Sequence, residues 1–290
     1  MQPPPIHGVI AAMLTPRVPG AEPDLTALEK NIEFVLERGA AGVCIGGATG
    51  EYAGASVEDR RQLLARARAV AGDRSVLICA AGAASLQESL AIAADAEQHG
   101  ADVVLLPPPH FFPYEPEDVE AFYREAAGCV RLPILIYNLP AFTTGLAPEL
   151  VVKLVEEEPN IVGVKDSSGS LTALEALAGN SRARRIVGND AVLEAALAAG
   201  CCDAVISGVA GVLPELVVAV FRGAEGGPLN EFVRRIDAFP TPWGLKLAAE
   251  IRGLFPAFFP LPLSEKRRAQ MCAFRDWFPG WWDGTRLGVK

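Results

Sequence analysis

Short apolar segments alternate along the chain with longer segments in which apolar residues recur at helical spacing. Eight of the short segments have the length and the flanking turn residues of buried strands. They are apolar at successive positions, which is typical of a parallel sheet covered by helices on both faces. The predicted strands are residues 8–14, 42–45, 75–79, 102–106, 133–137, 161–165, 185–187 and 203–207.

The segments between these strands predict amphipathic helices. Proline suits a first helical turn, because its missing N–H would have no helical partner there. Eight strand–helix units predict an α/β fold, a (β/α)8 TIM barrel. The competing architecture is an open, doubly wound sheet, but no GxGxxG motif follows the first strand. The predicted helices span 25–38, 56–71, 85–99 and 117–127, and later ones begin at Pro148, Leu171, Ala191 and Pro214.

The last part of the chain has a different pattern. Residues 228–239, 242–255 and 263–274 predict three helices separated by prolines, and the aromatic tail 277–284 is interpreted as rich in turns. We therefore predict a catalytic barrel over residues 1–225 and a C-terminal helical extension over residues 226–290.

The composition limits the classes of partner and the cellular locations that we expect for this chain. Half of the residues are hydrophobic, yet no apolar run reaches the roughly 18 residues that a membrane-spanning helix needs. The first residues lack the basic and apolar segments of a secretory signal. The net charge is −9 and no basic stripe is present, which argues against nucleic acid and anionic membrane as partners. We expect a cytoplasmic protein.

The cysteines and histidines offer no metal site. The six cysteines are scattered without a CxxC pair, and the three histidines lack ligand spacing. We expect buried free thiols, as in a cytosolic protein, and neither a metal nor a cofactor.

Lys165 is the first candidate for chemistry. It ends the apolar run Ile161–Lys165, directly before the polar segment Asp166–Gly169. Burial at a strand end disfavours the ammonium form, so the amine is able to attack a carbonyl. The alternative is a lysine that extends from the strand end into water.

Other strand ends add candidate groups, because the chemistry of a barrel lies at the carboxyl ends of its strands. Residues 46–51, GGATGE, offer backbone N–H groups and the Thr49 hydroxyl to a carboxylate, or else form only a tight turn. Tyr137 at the end of the fifth strand is able to move a proton at a carbonyl carbon, or else caps the barrel. Asp190 and residues 208–211 are interpreted as helix-capping and turn residues. Together with Lys165, these groups suit Schiff-base chemistry on a 2-oxo acid.

Four motifs at these strand ends carry a family resemblance: GGATGE at 46–51, YNLP at 137–140, GVKDSSG at 163–169 and GND at 188–190. The chain resembles the dihydrodipicolinate synthase / N-acetylneuraminate lyase family of class I aldolases over essentially its whole length. The resemblance implies a homotetramer built as a dimer of dimers. It also implies Lys165 as the Schiff-base lysine and Tyr137 as the proton-transfer residue. The carboxylate-binding loop would contain Gly47, Ala48 and Thr49, and Ile206 would flank the bound pyruvate-like group.

Three departures from the family pattern concern one mechanism. Synthases carry Thr-Thr where this chain has Ala48-Thr49, and the first threonine joins a proton relay with Tyr137. The third member of that relay is a tyrosine of a neighbouring subunit, whose position here is Phe111, and a buried phenylalanine cannot pass a proton. The segment 141–145, AFTTG, contains no arginine to hold an aldehyde's carboxylate and has one extra residue.

These departures favour a lyase, either an aldolase or a dehydratase, that acts on 2-oxo acids such as 2-keto-3-deoxy sugar acids, with Thr143 and Thr144 available to substrate hydroxyls. One alternative is a 4-hydroxy-tetrahydrodipicolinate synthase that condenses pyruvate with an aldehyde. Another is a 2-oxo-acid-binding barrel with weakened catalysis. A site for phosphorylated substrates at residues 208–211 is disfavoured, because that loop has no Arg or Lys.

Overall fold

The eight predicted strands form one closed parallel barrel. The computed structural model describes residues 6–18 and 22–286. Each strand pairs with its successor, and the eighth closes the barrel onto the first, so the barrel is confirmed and the open sheet is wrong. The strands are β1 (Gly8–Ala12), β2 (Gly42–Ile45), β3 (Val76–Ala80), β4 (Val103–Leu106), β5 (Ile134–Asn138), β6 (Ile161–Asp166), β7 (Arg184–Val187) and β8 (Ala204–Ser207).

Eight helices follow the strands and cover the barrel. Asp24, Ser56 and Ser85 cap the first three, each accepting a backbone N–H of the first turn. The helices are α1 (Leu25–Glu37), α2 (Val57–Ala71), α3 (Leu86–Gln98), α4 (Pro116–Cys129), α5 (Pro148–Glu157), α6 (Thr172–Ala176), α7 (Leu193–Ala198) and α8 (Pro214–Phe221).

The predicted end of α4 is wrong by two residues. We expected Gly128 to follow the helix, but α4 continues to Cys129. The N–H of Val130 donates to the carbonyl of Ala126 at 2.9 Å, so the helical hydrogen bonds continue past the glycine. A glycine ends a helix only where the chain adopts a left-handed conformation, and Gly128 does not.

Three further helices form the C-terminal extension: α9 (Gly227–Ile236), α10 (Trp243–Ile251) and α11 (Glu265–Arg286). The interpretation of residues 277–284 as turns is wrong, because α11 runs through them with Pro279 inside. Phe274 and Phe278 are buried, and their ring centres lie 6.4 and 5.9 Å from that of Phe232 on α9. This packing outweighs the local cost of the proline.

The hydrophobic core has two parts. A smaller cluster fills the barrel interior, with Ile10, Ile78, Leu105 and Leu135 among its members. A larger cluster lies between the barrel and the helices and continues into α9, α10 and α11. The division of the chain at residue 225 stays a prediction.

The cysteines differ in part from expectation. Cys44, Cys79 and Cys201 are buried free thiols, but Cys129 and Cys272 are exposed, because they lie on the outer faces of α4 and α11. Within residues 6–18 and 22–286, no helix is long and apolar enough to cross a membrane, and no group of three or more His, Cys, Asp or Glu is placed to hold a metal ion.

Candidate active site

Lys165 and Tyr137 lie side by side at the carboxyl end of the barrel. They are directly paired residues of β6 and β5, and the Lys165 Nζ is 4.2 Å from the centre of the Tyr137 ring. Both residues are buried, with Lys165 only 4% exposed. The alternative in which Lys165 extends into water is therefore wrong, and the amine sits against an aromatic face in a cavity.

That cavity has a volume of about 190 Å³. Its floor is formed by the ends of β5 to β8 and by the loop after β2, and one wall is formed by α9, α10 and the segment between them. Of the residues predicted for the site, Lys165, Tyr137, Ala48, Thr49 and Ile206 line it. Gly47, in the same loop, is buried and is not among the described residues that line the cavity.

Gly188 at the end of β7 makes room for the lysine. A Cβ at this position would lie 2.8 Å from Lys165 Cε and 2.2 Å from Ser167 Oγ. Both distances are shorter than carbon and oxygen atoms tolerate without displacement. The glycine of the GND motif therefore lets the Lys165 side chain pass over the end of β7.

The loop after β2 is a tightly bonded turn. The N–H groups of Gly50 and Glu51 donate to the carbonyls of Gly47 and Ala48, both at 3.0 Å. The hydroxyl of Thr15 donates to the Gly50 carbonyl at 2.8 Å. These bonds hold Ala48 and Thr49 at the cavity, so the tight turn also forms part of the cavity lining.

Lys246 anchors this loop to the extension, a role that was not predicted from the sequence. Its ammonium group lies 2.5 Å from Glu51 Oε2 and donates to the Phe258 carbonyl at 2.8 Å. Lys246 is 2% exposed, and burial lowers its pKa while Glu51 opposes that shift. The signal available in the sequence was a lone lysine in the apolar run WGLKLAA of α10.

Asp190 lines the cavity, which corrects its interpretation as a capping residue. The capping side chain is that of Asn189, which accepts the N–H of Ala191 at 3.0 Å. Asp190 Oδ1 is buried without a hydrogen-bond partner among the described residues. Burial raises the pKa of Asp190 to about 6, and it outweighs the opposing influence of the nearby Ser207, Val209 and Lys165.

A buried network fixes the ends of β5 and β6. Asn138 Nδ2 donates to Asp166 Oδ2 at 2.7 Å, and Asn138 Oδ1 accepts the N–H of Leu146 at 3.1 Å. Asp166 Oδ1 also accepts the N–H of Ser168 at 2.8 Å. Because Asn138 and Asp166 directly follow Tyr137 and Lys165, this network holds the two candidate residues in their register.

Comparisons with known proteins identify the family of this chain and give the same fold. The sequence profile of the Dihydrodipicolinate synthetase family matches residues 5–256. The chain belongs to this family. It is a lyase of the class I aldolase type, as the family resemblance implied.

Similar proteins include synthases and a lyase. The chain is 33% identical over 221 residues to the 4-hydroxy-tetrahydrodipicolinate synthase of Methanocaldococcus jannaschii, covering 76% of each chain. It is 33% identical over 171 residues to the N-acetylneuraminate lyase of Rhizobium meliloti, covering 59% of this chain and 56% of that protein. A solved structure of the chloride-inhibited dihydrodipicolinate synthase of Acinetobacter baumannii complexed with pyruvate superimposes with a TM-score of 0.85. The identity is 28%, and the match covers 93% of this chain and 98% of that chain.

Three of the residues discussed with the departures from the synthase pattern, Phe111, Thr143 and Thr144, are not lining residues of the cavity. Phe111 is 83% exposed in the single chain, contrary to the expectation of a buried ring, and has a φ of 88°. Thr143 donates to the Leu139 carbonyl at 3.1 Å, and Thr144 accepts the N–H of Tyr114 at 3.1 Å. Both threonines therefore serve the structure of their loop. Phe142, which precedes them, lines the cavity instead.

Proposed function

We propose that this protein forms a Schiff base between Lys165 and a 2-oxo acid of the pyruvate type. The adjacent carbon–carbon bond is then made or broken, or a hydroxyl is eliminated. The observation that carries this proposal is the buried Lys165 amine, 4.2 Å from the Tyr137 ring centre in a cavity at the barrel mouth. A pyruvate complex of a similar family member supports the choice of ligand.

Lys165 acts as the nucleophile in this proposal. Its neutral amine adds to the ketone carbon of the 2-oxo acid, and loss of water gives an iminium. The positive nitrogen withdraws electrons from the next carbon, so that carbon loses a proton or a carbon substituent to give an enamine. The thiol of Cys44 is not a competing nucleophile, because burial raises its pKa to about 11.

Tyr137 and the loop after β2 serve as the supporting groups. The phenol of Tyr137 moves protons during addition, dehydration and the carbon–carbon step. The Thr49 hydroxyl and the N–H groups around Gly47 and Ala48 bind the carboxylate of the 2-oxo acid. Ile206 packs against the bound three-carbon unit. No cofactor is required, since the iminium supplies the electron sink.

Two substrate assignments remain in competition. The names of the similar proteins favour 4-hydroxy-tetrahydrodipicolinate synthesis over cleavage of 2-keto-3-deoxy sugar acids. Ala48, Phe111 and the missing arginine in residues 141–145 favour a different partner from that of the synthases. The lyase of Rhizobium meliloti supports sugar-acid chemistry within the family. A protein that binds 2-oxo acids without efficient turnover is the third candidate.

Borohydride reduction in the presence of pyruvate tests the Schiff base. We expect a stable mass adduct that peptide mapping assigns to Lys165. Lys246 is a second buried lysine in the same preparation, and it should remain unmodified because Glu51 and the Phe258 carbonyl hold it. Lys165→Ala should lose both the adduct and all turnover. An unmodified Lys165 with every 2-oxo acid tried would contradict the mechanism.

A substrate screen separates the candidates. Pyruvate release from 2-keto-3-deoxygluconate, without condensation of pyruvate and aspartate semialdehyde, supports the sugar-acid lyase, and the opposite pattern supports the synthase. Thermal stabilisation by 2-oxo acids without turnover supports the binding protein. We also propose that the protein is cytoplasmic and, on the family resemblance, that it is a homotetramer. Sedimentation of the purified protein tests the oligomeric state.

A further inference from the structure

We propose that the partner substrate at this site is an uncharged aldehyde with a hydrocarbon substituent, rather than one with a second carboxylate or a phosphate. This inference rests on the proposed function, because it concerns the group that joins or leaves the Schiff-base intermediate at Lys165. It identifies a substrate class from the charges and surfaces of the cavity.

Within residues 6–18 and 22–286, the cavity lining offers no cation that is free to pair with a second anionic group. Among its lining residues in the described parts of the chain, Lys165 is the one basic side chain, whereas Asp190 and Asp237 are acidic. In the intermediate, the Lys165 nitrogen is the iminium, and the carboxylate of the 2-oxo acid balances its charge. Lys246 lies outside the lining and is held by Glu51.

The two acids make the space beyond Lys165 unfavourable for an anion. Asp190 has a buried Oδ1 without a partner among the described residues, and this atom accepts a hydrogen bond only from a group that carries a proton, such as a hydroxyl. A substrate carboxylate at neutral pH brings no proton and meets like charge. Asp237 at the mouth adds a second negative charge along the entry path.

The outer wall of the cavity suits hydrocarbon. Val233 and Ile236 of α9, Leu245 of α10 and Phe142 after β5 all line it. Val233 and Leu245 are buried, whereas Phe142 is 53% exposed at the mouth. A hydrocarbon group that covers Phe142 removes apolar surface from water, and a charged group there loses hydration without gaining a partner.

The bond-forming step needs no further reactant. The enamine carbon attacks the aldehyde carbon, and the π electrons of the C=O bond move to oxygen, which takes a proton. Water then adds to the iminium carbon and expels the Lys165 amine. The product is a 4-hydroxy-2-oxo acid, and the reverse sequence cleaves such an acid into pyruvate and the aldehyde.

The test compares butanal with succinic semialdehyde as partners of pyruvate, after borohydride trapping has been measured on the same preparation. Both aldehydes have four carbons, and a carboxylate in one replaces the terminal methyl of the other. We expect kcat/KM to favour butanal by roughly 100-fold, because the carboxylate of succinic semialdehyde meets like charge in the cavity. D-Glyceraldehyde and its 3-phosphate form a second matched pair, with the same direction expected.

Variants of Phe142 and Asp237 test whether these two residues cause the preference for butanal over succinic semialdehyde. Phe142→Arg should raise kcat/KM for succinic semialdehyde at least tenfold and lower it for butanal, whereas the control Phe142→Leu should keep the preference for butanal. Asp237→Asn should raise use of succinic semialdehyde, and Asp237→Glu should not. The rate of pyruvate trapping in each variant shows that the folded site is retained.

The outcomes separate this inference from the proposed function. Trapping of pyruvate together with equal or faster turnover of the charged aldehyde overturns the inference and leaves the Schiff base standing. Trapping without any turnover of butanal also overturns it. Failure to trap pyruvate overturns the proposed function, and the inference with it.

Discussion

Lys165 has room for its side chain because residue 188 is a glycine. Because a Cβ at Gly188 would lie 2.8 Å from Lys165 Cε, Gly188→Ala should displace the lysine by a large fraction of an ångström. We expect kcat to fall roughly 100-fold, the loss typical of a misplaced reacting group. The rates of turnover and of borohydride trapping are the measurements.

Gly128→Ala is the matched control for this substitution. Gly128 lies in α4, and a Cβ added there would have no atom within 4 Å among the described residues outside its own stretch of helix. Alanine at this position should leave turnover unchanged and stabilise the helix by up to about 1 kcal/mol. Equal effects of the two substitutions on trapping would show that Gly188 does not act through Lys165.

Asp190 should make stability depend on pH in a defined direction. Its pKa rises from 3.8 to about 6 on folding, so the folded state binds the proton more tightly than the unfolded state. The stabilising contribution of the protonated acid is complete below about pH 4 and is lost as pH rises through 6. Asp190→Asn should therefore gain free energy of unfolding relative to the parent over this range, by about 1–3 kcal/mol at 1.36 kcal/mol per pKa unit.

Urea unfolding of both proteins at pH 4, 5, 6 and 7 measures this difference. The parent and Asp190→Asn curves should be separated by a constant at low pH and should diverge between pH 4 and 7. A separation that stays the same at every pH would mean that Asp190 titrates alike in the folded and unfolded chains.

The position of a candidate residue could be predicted from the sequence where that residue ended a strand. Lys165 and Tyr137 follow apolar runs, and the barrel brings all strand ends to one mouth. Asp190 was misread because an acidic residue after a strand is compatible with either a helix cap or a position in a cavity wall. Local sequence cannot distinguish these two roles. The difference is that the side chain of Asn189 already accepts the free N–H of Ala191 at the start of the helical turn.

At the scale of elements, the pair Lys246–Glu51 joins α10 to the loop after β2. The side chain of Lys246 is 3% exposed and that of Glu51 is 19% exposed. Lys246→Met would leave the Glu51 carboxylate without its partner, so we expect a loss of about 3 kcal/mol in the free energy of unfolding. Because Glu51 adjoins the Ala48–Thr49 loop, KM for the 2-oxo acid should also rise.

The double variant Lys246→Met/Glu51→Gln should recover part of that stability, because the unpaired charge is removed. Lys153→Met is a control, since Lys153 pairs with Glu120 at 2.8 Å but is 46% exposed. An exposed pair contributes less than about 1 kcal/mol. Urea unfolding measures the free energy of unfolding of each variant. Similar losses in Lys246→Met and Lys153→Met would show that the buried pair contributes no more than the exposed one.

Element boundaries could be predicted where capping residues were present, as at Ser56 and Ser85. The helical structure of the aromatic tail could not be predicted, because Pro279, Gly280 and Gly284 are residues typical of turns. What makes residues 277–284 helical is the burial of Phe278 against Phe232, a contact between segments about 46 residues apart in the chain. A long-range contact of this kind leaves no local trace in the sequence.

At the scale of the whole molecule, the barrel was predictable because each of its units is local and repeated. The packing of the extension on the barrel could not be predicted, because it depends on how α9 and α10 close one side of the cavity. Val233 and Leu245 line the same cavity as Lys165, and one hydrophobic cluster contains residues of both regions. We infer that barrel and extension fold as one cooperative unit, although the sequence suggested a boundary at residue 225.

The tryptophans provide a direct test of this cooperativity. All four, Trp243, Trp277, Trp281 and Trp282, lie in the extension, so their fluorescence reports that region alone, whereas far-ultraviolet circular dichroism reports every helix and strand. Buried Cys44 and Cys79 lie in the barrel, and their reaction with a thiol reagent reports its opening. In a two-state transition, all three probes share one midpoint in urea. A fluorescence midpoint below the other two would show that the extension unfolds first from a stable barrel. The part of the cavity wall that α9 and α10 form would then be a separable module, and the effect of Asp237 on substrate selection would be independent of Schiff-base formation in the barrel.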